Sequence, residues 1–400
     1  MDTVVIDLVD PATYTAHRFE PMFEWLRRNA PVYWHEEREG PGFWALTKHR
    51  DIAAVYADAE QFSSAHGMRL DSDPVAVAQA TGRMISSADP PTHTQLKKAM
   101  LNAFTPRAVR RMQPYVAKVI SELVGDAVEL GELDAVHDLA GRIPSTVVGS
   151  LLGTPTDVLK RLAHLATECF EAPEKHDRLA AYADIFMEFT ELLDERRRNP
   201  DTDFISLVAY AMREAGQGQP PRPLSDEEIV LNCAGVLFGG NETTRHALSG
   251  GLLAFAENPG EWQKLRASAD AVPGAVEECL RWTTPGLHTC RTATRDLTII
   301  DTLVRQGDRV ALWNASANRD EDAFDDPYRF QIDRRENPHL TFGAGRHVCI
   351  GAGLARLELA LAWQELRSRV ARVEVTGTPQ WNATNFTHGL TALPIRLHPA

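Results

Sequence analysis

Apolar residues recur at three- and four-residue spacing through most of the chain, a periodicity that predicts amphipathic helices over 105–129, 157–170, 176–198 and 204–215. The longest predicted helix begins at Ser225-Asp226-Glu227-Glu228, a capping box in which the serine caps and Glu228 reaches back to the cap amide. Nothing interrupts it before Asn258-Pro259-Gly260, so it is expected to run to about Glu257 and, at ~1.5 Å per residue, to span roughly 50 Å. From Cys233 to Phe238 it is apolar on nearly every face, which predicts a buried central helix. Runs that predict strands are fewer: Val32–Trp34, Phe43–Leu46, Leu297–Ile300, Val310–Trp313 and Ile395–Leu397. The Pro-rich stretches at 219–223 and 89–91 read as loops inside one unit. Without a repeat, a low-complexity tract or a shift in composition, the expectation is one domain over 1–400, mainly α with a small β region.

Composition narrows the function more than the fold. A chain of 400 residues, 44% hydrophobic and 24% charged, has ample material for a globular core. Its net charge of −13 disfavours nonspecific binding to nucleic acid or to an anionic membrane surface. No apolar run reaches the ~18–20 residues of a membrane span, and the first residues (MDTVVIDLVD) are acidic where a signal peptide is basic. Five cysteines without close pairing argue against a disulfide framework and for a reducing compartment, so the expected location is the cytoplasm.

The most informative segment is Phe342-Gly343-Ala344-Gly345-Arg346-His347-Val348-Cys349-Ile350-Gly351, ahead of a predicted helix over Ala352–Ala371. Glycines on both sides of one cysteine describe a backbone folded tightly around a sulfur, with room for a flat ligand to approach. Amide groups at the start of the next helix, at the positive end of its dipole, stabilise a thiolate. A lone thiolate in such a nest suits an axial ligand of haem iron. A free buried cysteine beside a turn is the bland alternative, and the density of the pattern argues against it.

This segment resembles the haem-binding signature of the cytochrome P450 family, in the bacterial form with a histidine two residues before the cysteine. Further motifs in the same order extend the resemblance from about residue 10 to the C-terminus. Glu278-Cys279-Leu280-Arg281 resembles the family's E-x-x-R motif and Pro327-Tyr328-Arg329-Phe330 its partner segment, which implies a buried triad of Glu278, Arg281 and Arg329 beneath the haem. An E-x-x-R alone is common on exposed helix faces; its place before the cysteine loop gives it meaning. Gly239-Gly240-Asn241-Glu242-Thr243-Thr244 resembles the family's oxygen-side motif. Paired glycines in a buried helix cost about 1 kcal/mol each, so they predict a local opening or kink, with Glu242 and Thr243 as an acid and a hydroxyl for proton delivery. The alternative is a glycine-mediated helix crossing with Thr243 bonded back to its own helix.

Haem carries two carboxylates, so the protein must offer cations or donors. Asp89-Pro90-Pro91-Thr92-His93-Thr94-Gln95-Leu96-Lys97 resembles the family's D-P-P-x-H-T-x-L-R segment, with Lys97 in place of the usual arginine. An ammonium lacks the bidentate fork of a guanidinium. The resemblance thus implies His93, Lys97, Arg291 and His347 at the propionates, Phe342, Cys349 and Gly351 in the haem loop, and haem b bound through Cys349. The other cysteines (Cys169, Cys233, Cys279, Cys290) read as small buried hydrophobes.

For function, the resemblance implies monooxygenation of a small molecule, with electrons from NAD(P)H through ferredoxin and ferredoxin reductase, in a protein expected to be a monomer. By family analogy, segments 64–88, 165–185, 285–289 and 385–389 line the pocket. They supply Met68, Met84, Ile85, Phe170, Leu287, His288 and Phe386, and with Gly239 they predict an apolar site with few polar handles. Arginine far outnumbers lysine, a bias of high-GC bacteria, and a polyketide, terpenoid or peptide intermediate of secondary metabolism is the expected substrate. Fatty-acid or sterol hydroxylation is the alternative within the class. A peroxide-driven peroxygenase and a haem-based sensor are the rivals, and the Glu242–Thr243 pair argues against both.

Overall fold

The computed structural model of the protein describes residues 5–15, 19–38, 40–172, 174–214 and 220–400. The capping box forms as expected: Glu228 N–H donates to Ser225 Oγ at 3.2 Å and Ser225 N–H to Glu228 Oε2 at 2.8 Å. From that start one helix runs Asp226–Glu257, and 22 of its 32 residues are buried, so it threads the protein rather than lying on it. Helices Arg142–Leu152, Lys175–Arg198 and Val272–Thr283 pack along it. Helical structure continues through Gly239–Gly240, and neighbouring helices supply the packing that offsets two weak helix formers. Helices Pro106–Leu130, Thr156–Glu171 and Lys175–Arg198 match their predicted spans within a residue.

The sheet that carries site residues has five strands, ordered Val32–His35, Phe43–Leu46, Arg309–Trp313, His288–Ala293, Phe62–Ser63. Only the Phe43–Leu46/Arg309–Trp313 pair is parallel. The sequence does not predict strand His288–Ala293, because His288-Thr289-Cys290-Arg291 lacks a run of β-branched or aromatic residues. It is nonetheless nearly central, with Arg291 opposite Val310 and Cys290 opposite Ala311. Two other expectations shorten. The helix after the cysteine stops at Arg369 because Val370–Val375 becomes a strand paired with Pro394–Pro399. The helix expected over 204–215 ends at Ala209, and Met212–Arg213 pairs with Arg222–Pro223. No helix among the described residues is long and apolar enough to cross a membrane.

Candidate functional site

The loop Phe342–Gly351 folds back on itself: Cys349 N–H donates to Phe342 O at 3.0 Å, and Gly343 N–H to Leu340 O at 2.8 Å. Gly345 sits at φ +67°, and a Cβ there would stand 2.4 Å from the backbone oxygen of Tyr56, so both conformation and contact require glycine. The helix Ala352–Arg369 begins at once, and the Gly351 and Ala352 amides donate to the Cys349 sulfur. Burial pushes the Cys349 thiol up, and those amides with Lys97 and Arg356 pull it back. Cys349 lies deep among protein atoms, yet its side chain is accessible to solvent. Both observations hold together only if the sulfur faces an internal hollow.

A brace lies behind the loop. Arg281 holds Glu278 with two bonds of 2.8 Å, and both side chains are fully buried. The third cation is Arg334, whose Nε is 3.3 Å from Glu278 Oε2; the side chain of Arg329 is exposed, and only its carbonyl joins, accepting from Arg281 and Arg334. This corrects the expected triad. A turn at Ile332–Asp333 carries Arg334 back to Glu278, while the Arg329 side chain stays outside. Gln331 N–H at 2.7 Å and Asn337 Nδ2 at 3.1 Å complete the donors to Glu278.

On one side of the cysteine stand four cationic or imidazole groups. The His93 and His347 rings lie 3.9 Å apart. Desolvation, reinforced by Lys97 and Arg346, takes His93 down to about 4; desolvation, with His93 and Arg291, takes His347 down to about 3. Lys97 Nζ donates to the carbonyls of Arg346 at 2.7 Å and Val348 at 3.3 Å, tying its helix Thr92–Met100 to the cysteine loop. Arg291 is buried, with one bond to the Cys290 carbonyl, and desolvation lowers its pKa. Among the described residues neither Lys97 nor Arg291 pairs with a carboxylate, and His93 Nδ1 is buried without a partner. Asp89 reaches His93 and Arg291 electrostatically, but Ser63 and Ser64 hold it. The buried guanidinium of Arg291 and the half-buried ammonium of Lys97, beside an accessible sulfur, fit a flat group with two carboxylates and a thiolate-bound metal, as haem is.

Across from the loop, the paired glycines divide two tasks. A Cβ on Gly240 would meet Val148 Cγ2 at 2.6 Å, so Gly240 allows the crossing of helix Arg142–Leu152. A Cβ on Gly239 would meet nothing within 4 Å, and Gly239 borders open space. Thr243 Oγ1 donates to Gly239 O at 2.6 Å. Glu242 is buried and turned toward Arg245, with His246 Nε2 at 3.8 Å. The acid and the hydroxyl therefore leave the helix in different directions, as adjacent residues must.

Of the pocket residues, Met84 lies against Gly235 and Ile85 N–H donates to Asn232 Oδ1 at 2.9 Å, both on the long helix. Leu287 N–H donates to Phe386 O at 2.9 Å. Leu287 and His288 are each about 1% exposed, so they back the wall without facing a hollow. His288 spends both nitrogens, on Asn385 O at 2.9 Å and Leu70 N–H at 3.3 Å, and desolvation takes it to about 4. The side chain of Phe170 lies outside the described residues. Missed by sequence reasoning was a bidentate ion pair, Arg69–Asp71, in the first pocket segment.

The cytochrome P450 family model matches residues 145–369. Cytochrome P450 NovI of Streptomyces niveus is 35% identical over 98% of this chain and 96% of its own. The Mycobacterium marinum cytochrome P450 CYP268A2 in complex with pseudoionone superposes with a TM-score of 0.91 at 31% identity, over 99% of both chains. P450 OxyD, involved in the biosynthesis of vancomycin-type antibiotics, gives 0.87 at 33% identity, over 99% of this chain and 100% of that one. With a central helix over a cysteine nest and this breadth of likeness, the chain belongs to the cytochrome P450 family of monooxygenases.

Proposed function

We propose that the protein binds haem b through Cys349 and hydroxylates or epoxidises an apolar small molecule, an intermediate of natural-product biosynthesis. The observation that carries this reading is the Cys349 sulfur, bonded by two amides and open to an internal hollow beside Arg291 and Lys97, which pair with no carboxylate among the described residues. Haem, when bound there, supplies the activation of O2 for insertion of one oxygen atom into the substrate. His93, Lys97, Arg291 and His347 would hold its carboxylates, and Phe342, Gly351 and the Glu278–Arg281–Arg334 brace would keep the loop from shifting beneath it.

The remaining steps belong to the chain's own atoms. Thr243 gives its hydroxyl proton to Gly239 O, which leaves its oxygen lone pairs to hold a water at the open side of the helix. Glu242 is held by Arg245 as an ion pair; when that pairing loosens it would take up a proton and pass it toward that water. The natural-product reading draws support from similarity to OxyD, described as acting in antibiotic biosynthesis. One domain over 1–400 and a cytoplasmic monomer complete the reading.

Electrons from NAD(P)H would arrive through ferredoxin reductase and an acidic ferredoxin. Lys98, Arg107, Arg110, Arg111 and Arg346 are exposed near the cysteine side, and none pairs with a carboxylate among the described residues. A basic patch on a chain of net charge −13 steers such a partner. The test is coupling: Thr243→Ala should keep haem and substrate binding while product per NAD(P)H consumed falls several-fold and hydrogen peroxide rises. A variant as tightly coupled as the parent would move proton delivery elsewhere.

A further inference from the structure

Three of the four segments expected to form the pocket touch one another, and Tyr182 of the fourth feels Arg69 and Asp71 electrostatically. Met68 O accepts from Cys290 N–H at 2.9 Å, and Leu70 N–H reaches His288 at 3.3 Å. The Arg69 guanidinium lies 4.7 Å over the Phe386 ring, and the Tyr182 ring lies tilted 5.2 Å from Phe238, next to Gly239 on the long helix. Where they meet, Arg69 clasps Asp71 through Nε–Oδ1 at 3.0 Å and Nη2–Oδ2 at 2.9 Å. Desolvation is the largest influence on the Asp71 carboxyl, and the groups that feel it, His288 and Tyr182, belong to the pocket segments. Yet the Asp71 side chain is 53% accessible against 23% for Arg69. As with Cys349, enclosure with accessibility marks a group that faces a hollow.

The two partners are unequally available. Arg69 has its fork committed to Asp71 and one face covered by Phe386. Asp71 stays ionised, because Arg69 holds it below the usual carboxylate range despite its burial, and it presents the larger open surface. Nearby Arg309 is spent on Glu37 at 3.1 Å, and His288 is neutral with both nitrogens used. The negative end of the pair is thus the end a ligand meets, near the Phe386 ring that Arg69 covers and within electrostatic reach of Tyr182.

We propose that Asp71 is a specificity-determining residue that receives a cationic nitrogen, so that the substrate is an apolar molecule carrying a protonated or quaternary amine. This rests on the reading of the hollow as the monooxygenase pocket. A carboxylate with neighbouring aromatic faces is the pairing that recognises an ammonium group. A free fatty acid would set its own carboxylate against Asp71, which turns the inference away from that alternative.

The test uses the haem-loaded protein and three probes with one ten-carbon chain: decyltrimethylammonium, decanol and decanoate. The quaternary nitrogen has no lone pair for iron, so a spin-state change in the Soret band reports pocket binding alone, and calorimetry gives an independent affinity. The parent should bind decyltrimethylammonium about tenfold tighter than decanoate at low salt. Asp71→Asn should erase that preference and leave decanol within about twofold. Decanoate binding as tightly as the cation in the parent, no binding by any probe, or an unchanged preference in Asp71→Asn would each overturn the proposal. The parent ranking decides the matter even if the variant fails to fold. Failure of the underlying reading looks different: the reduced protein would then lack the thiolate-type carbon monoxide spectrum.

Discussion

The cysteine wall and the pocket wall are built on opposite plans. Around Cys349, ten consecutive residues make the loop, the next helix supplies amides to the sulfur, and the brace fastens the loop from behind. Around Asp71, three segments separated by up to about three hundred residues meet through ring contacts and single hydrogen bonds. The first plan holds one atom in one place, as ligation requires. The second lets a wall change its chemistry by local substitution while the frame stays. Long-range walls are the part of a fold where specificity is adjusted, because their residues answer to the ligand and not to the core.

The sharpest way to break that contrast is in the brace. Arg334→Ala strips a cation from a fully buried carboxylate and should cost about 3–5 kcal/mol, with loss of haem retention. Arg329→Ala, at an exposed side chain, should stay within about 0.5 kcal/mol. Urea unfolding of the two variants separates them, and the reverse order would restore the triad expected from sequence.

A smaller effect sharpens the comparison on the long helix. Gly240→Ala puts a methyl 2.6 Å from Val148, an overpacking cost of about 1–3 kcal/mol against a propensity gain of about 1. Gly239→Ala meets no atom within 4 Å and should raise stability by up to about 1 kcal/mol while narrowing the open side. Unfolding midpoints measure the first difference, and substrate titration measures the narrowing. Equal midpoints would mean that the two glycines do not divide packing from access.

Legibility in the sequence divides along the same line. The long helix is readable because its capping box and stop signals are local, and the cysteine loop because its glycines, sulfur and helix start are contiguous. Strand His288–Ala293 is not, since its polar residues are tolerated only by the neighbours that pair with it. Arg334 is not legible, because a turn at Ile332–Asp333 brings it back to Glu278 while the Pro-Tyr-Arg-Phe motif draws attention to the wrong arginine. Glu242 stands out as a residue, while its partner Arg245, one turn on, becomes meaningful only once both are seen buried. The Arg69–Asp71 pair gives no signal, because two charges a residue apart in a loop usually belong to the surface.

The central claim is that the sulfur of Cys349 is where the fold holds its iron. Cys349→Ser, purified beside the parent and reduced under carbon monoxide, tests it most directly. The account predicts that the parent shows the red-shifted Soret band of a thiolate-ligated haem and that the serine variant lacks it, whether or not haem remains bound. A serine variant that keeps the band would contradict the account and place the ligand on another residue.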